Sequence, residues 1–226
     1  MKQLFKDLCP PFAWRTLARA KNAVLSSRLI PPREGQDLEI YWSSAMAELL
    51  EHWGEGNAWL EVQFLMENPS GKVLDIACGT GKVMTILERK DLEISGCDIS
   101  DLLIRKAKER GISADRLRVC DATALPYGDG EFDYSYSIGS LEHFTEDGIG
   151  KFIGEAVRVT RVASFHMMPT SRSGKDEGWM KTVQSFHNCS VSWWLRWFEP
   201  RFSRVHVLDS TWHDEISVGK WFLCYK

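Results

Sequence analysis

The sequence predicts an α/β domain with a mainly parallel sheet and helices on both of its faces. Short strand-like runs alternate with helical stretches from about residue 57 onward, and the first of these runs leads directly into a glycine-containing turn. Two closing runs, 204–210 and 218–225, leave no room for a helix between them. Alternating strands and helices form βαβ units with parallel strands, whereas two consecutive strands without a helix between them pair antiparallel.

The other elements follow from the same patterns. Most of the strand runs have the composition of buried strands, which is typical of a parallel sheet that is covered on both faces. The remaining strands are predicted at 72–77, 92–97, 116–120, 132–138 and 161–168, and the helices at 82–89, 100–110, 145–160 and 191–198. Glycine-rich stretches at 127–130 and 171–174 predict surface loops.

Residues 1–56 do not fit this alternation. Pro10-Pro11 and Pro31-Pro32 bracket a segment whose apolar residues would share one face of a helix. A second helix is predicted over 41–53 and ends at Gly54. We interpret residues 1–56 as a basic helical N-terminal extension and cap over an α/β domain formed by residues 57–226.

The distribution of charge bears on the partners of the protein. Of 226 residues, 28 are Lys or Arg and 31 are Asp or Glu, so the formal net charge is −3. A protein that coats a polyanion needs a dominant basic face, and this balance therefore predicts that nucleic acid is not a partner. The basic residues are unevenly placed, because residues 1–33 contain seven Lys or Arg and a single acid, Asp7.

Cysteine usage and hydropathy bear on location. The six cysteines are scattered without a CxxC pair, and no run reaches the ~18–20 apolar residues of a membrane-spanning helix. We therefore expect a cytoplasmic protein. The stretch 12–30 has an apolar stripe flanked by Arg15, Arg19, Lys21 and Arg28. It predicts either peripheral contact with anionic lipid at the inner face of the membrane or packing on the net negative main domain.

The segment 73–81, VLDIACGTG, carries the strongest functional signal. It is an apolar strand followed by a turn of small residues, which allow a ligand to approach the backbone closely. A dinucleotide site would need a third glycine where this chain has Met84. The carboxylate of Asp75 disfavours a pyrophosphate and suits a cofactor that carries an ammonium group.

Together with three later motifs, this segment resembles the class I S-adenosylmethionine-dependent methyltransferases. The later motifs are Asp98 after the second strand, Asp121-Ala122 after the third, and LPYGDGEFDYSYSIGSLEHF at 125–144. The resemblance covers roughly residues 57–226, the methyltransferase domain. It implies a Rossmann-like, seven-stranded, mostly parallel sheet with an antiparallel last strand, and S-adenosyl-L-methionine as the cofactor. The chain departs from many members at Ala77, where they have a glycine.

The resemblance also implies which residues hold the cofactor. The glycine-containing turn would contact its methionine part, and Asp98 would bind its ribose hydroxyls. Residues after the second and third strands would surround the adenine ring, with Asp121 accepting a hydrogen bond from its amino group, and Ser137 would lie near the homocysteine segment. The complete predicted set is Asp75, Ala77, Gly79, Gly81, Asp98, Ile99, Asp121, Ala122 and Ser137.

The region after the fourth strand and the tryptophans bear on the methyl acceptor. The chain lacks the Asn/Asp-Pro-Pro-aromatic run of enzymes that methylate DNA bases or glutamine amides, and the Pro-Cys pair of cytosine C5 enzymes. It also lacks the Asp-Asn metal pair of catechol enzymes, and no metal site is predicted. All ten tryptophans lie outside 60–178, and Trp42, Trp53 and Trp212 are predicted to line an aromatic acceptor pocket.

These observations predict a methyltransferase for a small-molecule or carbohydrate-type acceptor, at oxygen rather than nitrogen, in surface-polysaccharide or secondary-metabolite biosynthesis. Protein or peptide methylation and a regulatory protein that binds S-adenosylmethionine without turnover are the alternatives. Methyl transfer needs a base only if the acceptor is a neutral hydroxyl or a protonated amine. His143 is the predicted base and His166 the second candidate, and the alternative for each is a packing role.

Overall fold

A seven-stranded sheet forms the centre of the protein. The computed structural model describes residues 35–182 and 184–226. The sheet has the strand order β3-β2-β1-β4-β5-β9-β8, and β6 and β7 form a separate hairpin. In chain order the strands are β1 (Gly71–Ile76), β2 (Leu92–Asp98), β3 (Leu117–Val119), β4 (Phe132–Ile138), β5 (Thr160–Ser171), β6 (Gly178–Lys181), β7 (Ser185–Asn188), β8 (Arg204–His213) and β9 (Ser217–Tyr225).

The strand directions match the predicted fold class. Strands β1 to β5 run parallel to one another, and β9 is antiparallel to both of its neighbours, β5 and β8. The predicted mostly parallel, Rossmann-like sheet with an antiparallel last strand is therefore confirmed. The antiparallel pairing of the two closing strands is confirmed as well.

Short helices cover the sheet. They are α1 (Ser44–Leu50), α2 (Ala58–Leu65), α3 (Lys82–Ile86), α4 (Asp101–Glu109), α5 (Glu146–Val159) and α6 (Val191–Phe198), with 3₁₀ turns at Leu38–Trp42, Ala114–Arg116 and Leu141–His143. Helices α4, α5 and α6 each begin at a hydroxyl cap, where Ser100, Thr145 or Ser190 accepts a hydrogen bond from an amide of the first turn. These caps explain why the predicted starts of these three helices lie within a residue of the observed ones.

Apolar layers pack on both faces of the sheet. Successive residues of a strand point to opposite faces, and in β1 the fully buried Val73 and Leu74 belong to two different apolar clusters. One cluster includes Val62 of α2 and residues of α3 and α4, and the other includes Phe152 of α5 and residues of α6. A strand that is buried on both faces has a continuous run of apolar residues, and such runs predict the strands from the sequence.

Two elements were not predicted from the sequence. Helix α2 has apolar residues around its whole circumference, with Val62 fully buried and Phe64 81% exposed, so it lacks the one-sided stripe that predicts a surface helix. The β6–β7 hairpin consists of two four-residue strands, which are too short to give a clear alternating pattern. The hairpin matters for function because it lies beside the segment that covers the strand ends.

That segment, residues 35–56, is called the cap below. It is tied to the turn after β2 by two side-chain hydrogen bonds. The Ser100 hydroxyl donates to the Tyr41 carbonyl oxygen at 2.7 Å, and the Trp42 indole donates to the Asp101 carboxylate at 2.8 Å. The cap therefore lies at the carboxyl ends of the parallel strands.

The cap is also bound to the β6–β7 hairpin. The carboxylate of Asp37 accepts hydrogen bonds from the Ser185 amide at 2.8 Å and from the Lys181 ammonium at 2.9 Å.

The predicted division after residue 56 falls inside a compact unit that contains the cap and all the strands, and it stays a prediction. The basic stretch 12–30, with its predicted membrane contact, lies outside the described residues. None of the helices from residue 35 onward has the length and apolar character that crossing a bilayer requires.

Candidate active site

A cleft opens where the parallel strands end. It lies between the turns that follow β1, β2, β3 and β4 on one side and the cap on the other. The space between its walls is about 1030 Å³, a volume that includes open solvent. In α/β sheets ligands bind at this end of the strands. The strand-end residues in its lining include Asp75, 77–80, Asp98, Ile99, 120–122 and 138–140.

The turn after β1 has a left-handed backbone at two positions of the cleft wall. Gly79 has a φ of +56°, and Ala77, with a φ of +62°, is the only non-glycine residue of the described ranges with a positive φ. A left-handed backbone is strained for residues with a Cβ, and Ala77 adopts it with the smallest side chain that has one. A Cβ added at Gly79 would meet only the Leu50 side chain, 3.7 Å away on the cap, so the glycine leaves its space to the cleft.

Gly81 does not line the cleft, and its predicted contact with the cofactor is corrected to a packing role. It precedes α3 with a φ of +71°. A Cβ there would collide with the Ile112 side chain and lie 3.1 Å from that of Ala107. The glycine therefore allows α3 to approach α4 and the turn that follows it.

Asp98, at the end of β2, is held in one orientation. It is only 6% exposed, and its two carboxylate oxygens accept hydrogen bonds from the Gly79 and Ser100 amides, each at 2.9 Å. Burial raises the pKa of Asp98, and the amides oppose this rise because they stabilise the charged form. Each oxygen keeps a lone pair for a ligand hydroxyl. Ile99 lines the cleft beside it.

Asp121 and Ala122 line the neighbouring part of the cleft, after β3. The Asp121 Oδ1 atom accepts hydrogen bonds from the amide and the hydroxyl of Thr123, both at 2.8 Å. Asp121 is exposed and Ala122 is buried, so the carboxylate lies at the rim and the methyl group in the wall. The local turn thus orients Asp121 and leaves its other oxygen for a ligand.

The cleft favours a ligand with a positive charge. Its described lining contains three carboxyl groups, those of Asp75, Asp98 and Asp121, and one cationic side chain, Lys82. The Lys82 ammonium lies 3.9 Å from the Glu55 carboxylate, which offsets part of its charge. Such a lining attracts an ammonium or sulfonium group and repels a phosphate. Within the described ranges, no three His, Cys, Asp or Glu side chains come together as metal ligands would.

Comparison with known proteins points to the same region. Residues 73–162 match a family model described as a methyltransferase domain. The Homo sapiens probable tRNA methyltransferase 9B is 39% identical over 93 residues, which cover 40% of this chain and 19% of that protein. The Mus musculus tRNA (carboxymethyluridine(34)-5-O)-methyltransferase is 43% identical over 84 residues, which cover 37% of this chain and 12% of that protein. The match therefore spans less than a fifth of either relative.

A solved structure shares the fold. A crystallised protein from Pyrococcus horikoshii OT3 superposes with a TM-score of 0.59 at 20% identity, covering 83% of this chain and 93% of that one. The chain contains a methyltransferase domain, whose fold and motifs agree with the class I S-adenosylmethionine-dependent methyltransferases. This confirms the predicted family, enzyme class and cofactor.

The lining of this methyltransferase fits the parts of S-adenosylmethionine. The fixed carboxylate of Asp98 can accept hydrogen bonds from both ribose hydroxyls. The open space at Gly79 allows the methionine part to approach the backbone. The carboxyl group of Asp75 is available for the positive end of the cofactor, and Ile99 and Ala122 offer apolar contacts for adenine.

His166, the second predicted base, is a core residue of the methyltransferase. It is fully buried on β5, with its two ring nitrogens 2.8 Å from the hydroxyls of Ser137 and Ser164, and its ring stacks on Phe198. Burial lowers the pKa of His166 to about 3, so the ring is neutral. Ser137, predicted to lie near the homocysteine segment, is likewise buried and outside the cleft lining. Both predictions are corrected to a buried hydrogen-bonded group between β4 and β5.

His143, the first predicted base, is also outside the lining. Its Nδ1 atom donates a hydrogen bond to the Ser185 carbonyl oxygen at 2.8 Å, so Nε2 is the nitrogen that could accept a proton. That Nε2 atom faces the buried Glu142 carboxylate at 3.7 Å. Burial lowers the pKa of His143. The geometry assigns His143 to the link between the turn after β4 and the β6–β7 hairpin.

Of the three tryptophans predicted to line the acceptor pocket, Trp53 lines the cleft. Trp212 packs on Trp53 with ring centroids 5.5 Å apart and so supports it from behind. Trp42 is 44% exposed and anchors the cap. Sequence reasoning missed Tyr41 and Phe144, which also line the cleft. No local pattern marks them, because their orientation depends on how the cap and the turn after β4 pack.

The predicted small-molecule or carbohydrate acceptor is wrong, and so is the prediction that nucleic acid is not a partner. The two curated relatives described above are named as tRNA methyltransferases. The physical error lies in the use of net charge, since the value of −3 averages a basic N-terminal stretch with an acidic remainder. Binding of RNA depends on local charge and not on the average.

S-adenosylmethionine should raise the melting temperature of the protein, and NAD should leave it unchanged. A ligand that binds only the folded state adds about 2.7 kcal/mol to the free energy of unfolding at 100 times its Kd. Asp98→Ala should remove most of the shift, because the ribose hydroxyls lose a charged acceptor. Scanning fluorimetry with both ligands measures this, and Glu93→Ala, an exposed acid on the same strand, is the control. Equal shifts in Asp98→Ala and wild type would contradict the role of Asp98.

Proposed function

We propose that this methyltransferase acts on tRNA and transfers the methyl group to a carboxylate oxygen of a modified uridine. The two curated relatives are tRNA methyltransferases by description, and the mouse protein's name specifies carboxymethyluridine. The observation that carries the proposal is the aromatic wall of the cleft. Tyr41, Trp53 and Phe144 lie there beside the strand-end residues that fit the cofactor.

An aromatic wall of this kind suits a nucleic-acid base that has left its stack. Base stacking on an aromatic side chain contributes about 1–3 kcal/mol, which offsets the cost of extruding the base. The Trp53 ring is held against Trp212, and a Cβ at Gly139 would lie 3.2 Å from it. Glycine at 139 therefore allows the indole to lie close to the turn after β4, where it presents a fixed surface to the acceptor.

A carboxylate acceptor removes the need for a general base. Carboxyl groups ionise with a pKa of ~4, so the acceptor is already anionic at neutral pH. S-adenosylmethionine supplies a methyl group on a sulfonium, which a nucleophile displaces in line, and the protein contributes chiefly the alignment of the two. The described lining of the cleft contains no imidazole, since His143 and His166 lie elsewhere, and this agrees with chemistry that uses no base.

The phosphates of the RNA would be held outside the cleft. The carboxyl groups of the lining disfavour a phosphate there, whereas residues 1–33 carry seven Lys or Arg. Cationic side chains bind nucleic acid by neutralising phosphates and releasing counterions. In this proposal the cleft binds a single base, and the basic stretch binds the phosphate backbone of the RNA.

The full-length protein should transfer labelled methyl from S-adenosylmethionine to tRNA that carries carboxymethyluridine, and not to the same tRNA with an unmodified uridine. The expected product is a methyl ester, so mild alkali should release the label as methanol. Label that resists alkali, or equal labelling of both tRNAs, would overturn the proposed acceptor.

Trp53→Ala should lower kcat/KM for this tRNA by about 10–100-fold, the value of one lost stacking contact. Trp53→Phe should retain most of the activity because it keeps an aromatic face. The Kd of S-adenosylmethionine is measured in parallel, since Trp53 borders the cofactor space. Phe64→Ala is the control, because Phe64 is 81% exposed and outside the lining. Unchanged kcat/KM in Trp53→Ala would argue against base stacking at this wall.

Replacing Arg15, Arg19 and Lys21 together with Gln should weaken tRNA binding and reduce its dependence on salt. Each lost phosphate contact lowers the slope of log K against log salt by about 0.7–0.9, so three contacts lower it by roughly 2–3. Filter binding from low to moderate salt measures the slope. A triple variant with the wild-type slope would show that phosphates are held elsewhere.

A further inference from the structure

Asp75 and Tyr136 form a buried hydrogen-bonded pair at the base of the cleft. The two residues are register partners in the neighbouring parallel strands β1 and β4. The Tyr136 hydroxyl donates to the Asp75 Oδ2 atom at 2.9 Å. Tyr136 is fully buried, whereas Asp75 is 4% exposed and lines the cleft. The sheet itself thus brings one carboxyl oxygen to the hydroxyl and leaves the other oxygen, Oδ1, for a ligand.

The surroundings of Asp75 contain no compensating cation among the described residues. Tyr136 faces it from β4, Asp98 from β2, and the Cys78 thiol from the turn after β1. Lys82 lines the cleft, but its ammonium is directed to the Glu55 carboxylate and the Trp59 ring. A buried carboxylate without a cation is unfavourable, and such a group holds a proton instead.

The balance of these effects keeps Asp75 protonated in the absence of a ligand. Burial, with a smaller effect from the Asp98 carboxylate, raises the pKa of Asp75 to about 8, and the Tyr136 hydrogen bond acts in the opposite direction. At pH 7 the protonated form then exceeds the ionised form by roughly ten to one. A cationic ligand beside Asp75 favours the ionised form.

We propose that Tyr136 is a positioning residue for Asp75, and that a positive charge of bound S-adenosylmethionine replaces the Asp75 proton, so that cofactor binding releases one proton to solvent. The proton balance is simple: neutral Asp75 and the free cofactor become an ion pair and a solvated proton. Tyr136 holds Oδ2 throughout, which keeps Oδ1 directed to the cofactor. The ammonium group is the charge concerned, so S-adenosylhomocysteine, which keeps the ammonium and lacks the sulfonium, releases the same proton.

The sign of the pH dependence follows from this exchange. Below the pKa of Asp75 the cofactor must displace a proton, so its affinity falls by up to tenfold for each unit of decreasing pH. Above that pKa the carboxylate is already ionised and the affinity no longer depends on it. Tyr136→Phe removes the hydrogen bond that lowers the pKa of Asp75, so the inflection moves to higher pH and affinity at pH 7 falls.

Isothermal titration calorimetry with the full chain tests the proposal. S-adenosylmethionine and S-adenosylhomocysteine are each titrated at several pH values from 6.5 to 9.5, in two buffers of different ionisation enthalpy. The difference between buffers gives the number of protons released. We expect nearly one proton at about pH 7 for both ligands, and a net release that falls as the pH rises through the pKa of Asp75.

Three variants separate this explanation from others. Asp75→Asn should bind more weakly and release no proton, and Tyr136→Phe should still release a proton at a pH where the wild type no longer does. Tyr134→Phe is the matched control, because this tyrosine of the same strand makes no side-chain hydrogen bond to a carboxylate among the described residues, and it should behave as wild type.

Several results would overturn the proposal. One is that the wild type releases no proton, and another is that release persists in Asp75→Asn and so originates at another group such as Asp98. A third is that only S-adenosylmethionine causes release, and a fourth is that Tyr136→Phe and the wild type have the same pH profile. Circular dichroism establishes that each variant is folded. No methyl acceptor is present, so the outcome is independent of the proposed action on tRNA.

Discussion

The hydrogen bond between the Gly79 amide and the Asp98 carboxylate, 2.9 Å long, joins the two turns on which the site is built. The left-handed backbone of Gly79 directs its amide toward β2, and a second amide, that of Ser100, fixes the other carboxylate oxygen. The Ser100 hydroxyl in turn caps α4 and donates to the Tyr41 carbonyl oxygen. One buried carboxylate thus orients the cofactor turn, the start of a helix and the cap. Without those amides, Asp98 would be an unpartnered buried charge, which folded proteins avoid.

The two halves of the cleft are held by different kinds of structure. The half that fits the cofactor consists of strand ends, whose positions are fixed by the hydrogen bonds of the sheet. The other half consists of the cap and the turn after β4, which are joined through the β6–β7 hairpin by the contacts of Asp37 with Ser185 and of His143 with the same residue. The family match, residues 73–162, contains the strand-end turns but neither the cap nor the hairpin. Similarity to known methyltransferases therefore informs the cofactor half far more than the acceptor half.

The same division explains what could be predicted from the sequence. Strand–helix alternation and the motif at 73–81 were sufficient for the sheet and for the positions of Asp98 and Asp121 at strand ends, because these features depend on local sequence. Ser137 and His166 were misplaced because they are register partners on neighbouring strands, and register is not encoded within either strand. Adjacent residues of a strand point to opposite faces of the sheet, so Ser137 points away from the face on which Tyr136 meets Asp75. Tyr41 and Phe144 depend on tertiary packing alone.

Charge has to be considered region by region in this protein. In physiological salt, interactions between exposed charges are screened beyond about 8 Å. What a region binds therefore depends on the charges near it and not on the net charge of the chain. The lining of the cleft, with three carboxyl groups and Lys82, suits a cationic cofactor and excludes phosphates. If the substrate is tRNA, as proposed, it would enter the cleft only as a base or its substituent, and cationic residues elsewhere would bind its backbone. A carboxylate acceptor adds a further constraint, because it must approach acidic side chains. The sulfonium of bound S-adenosylmethionine adds a positive charge that offsets this repulsion, so binding of the cofactor before the acceptor is the order that electrostatics favours.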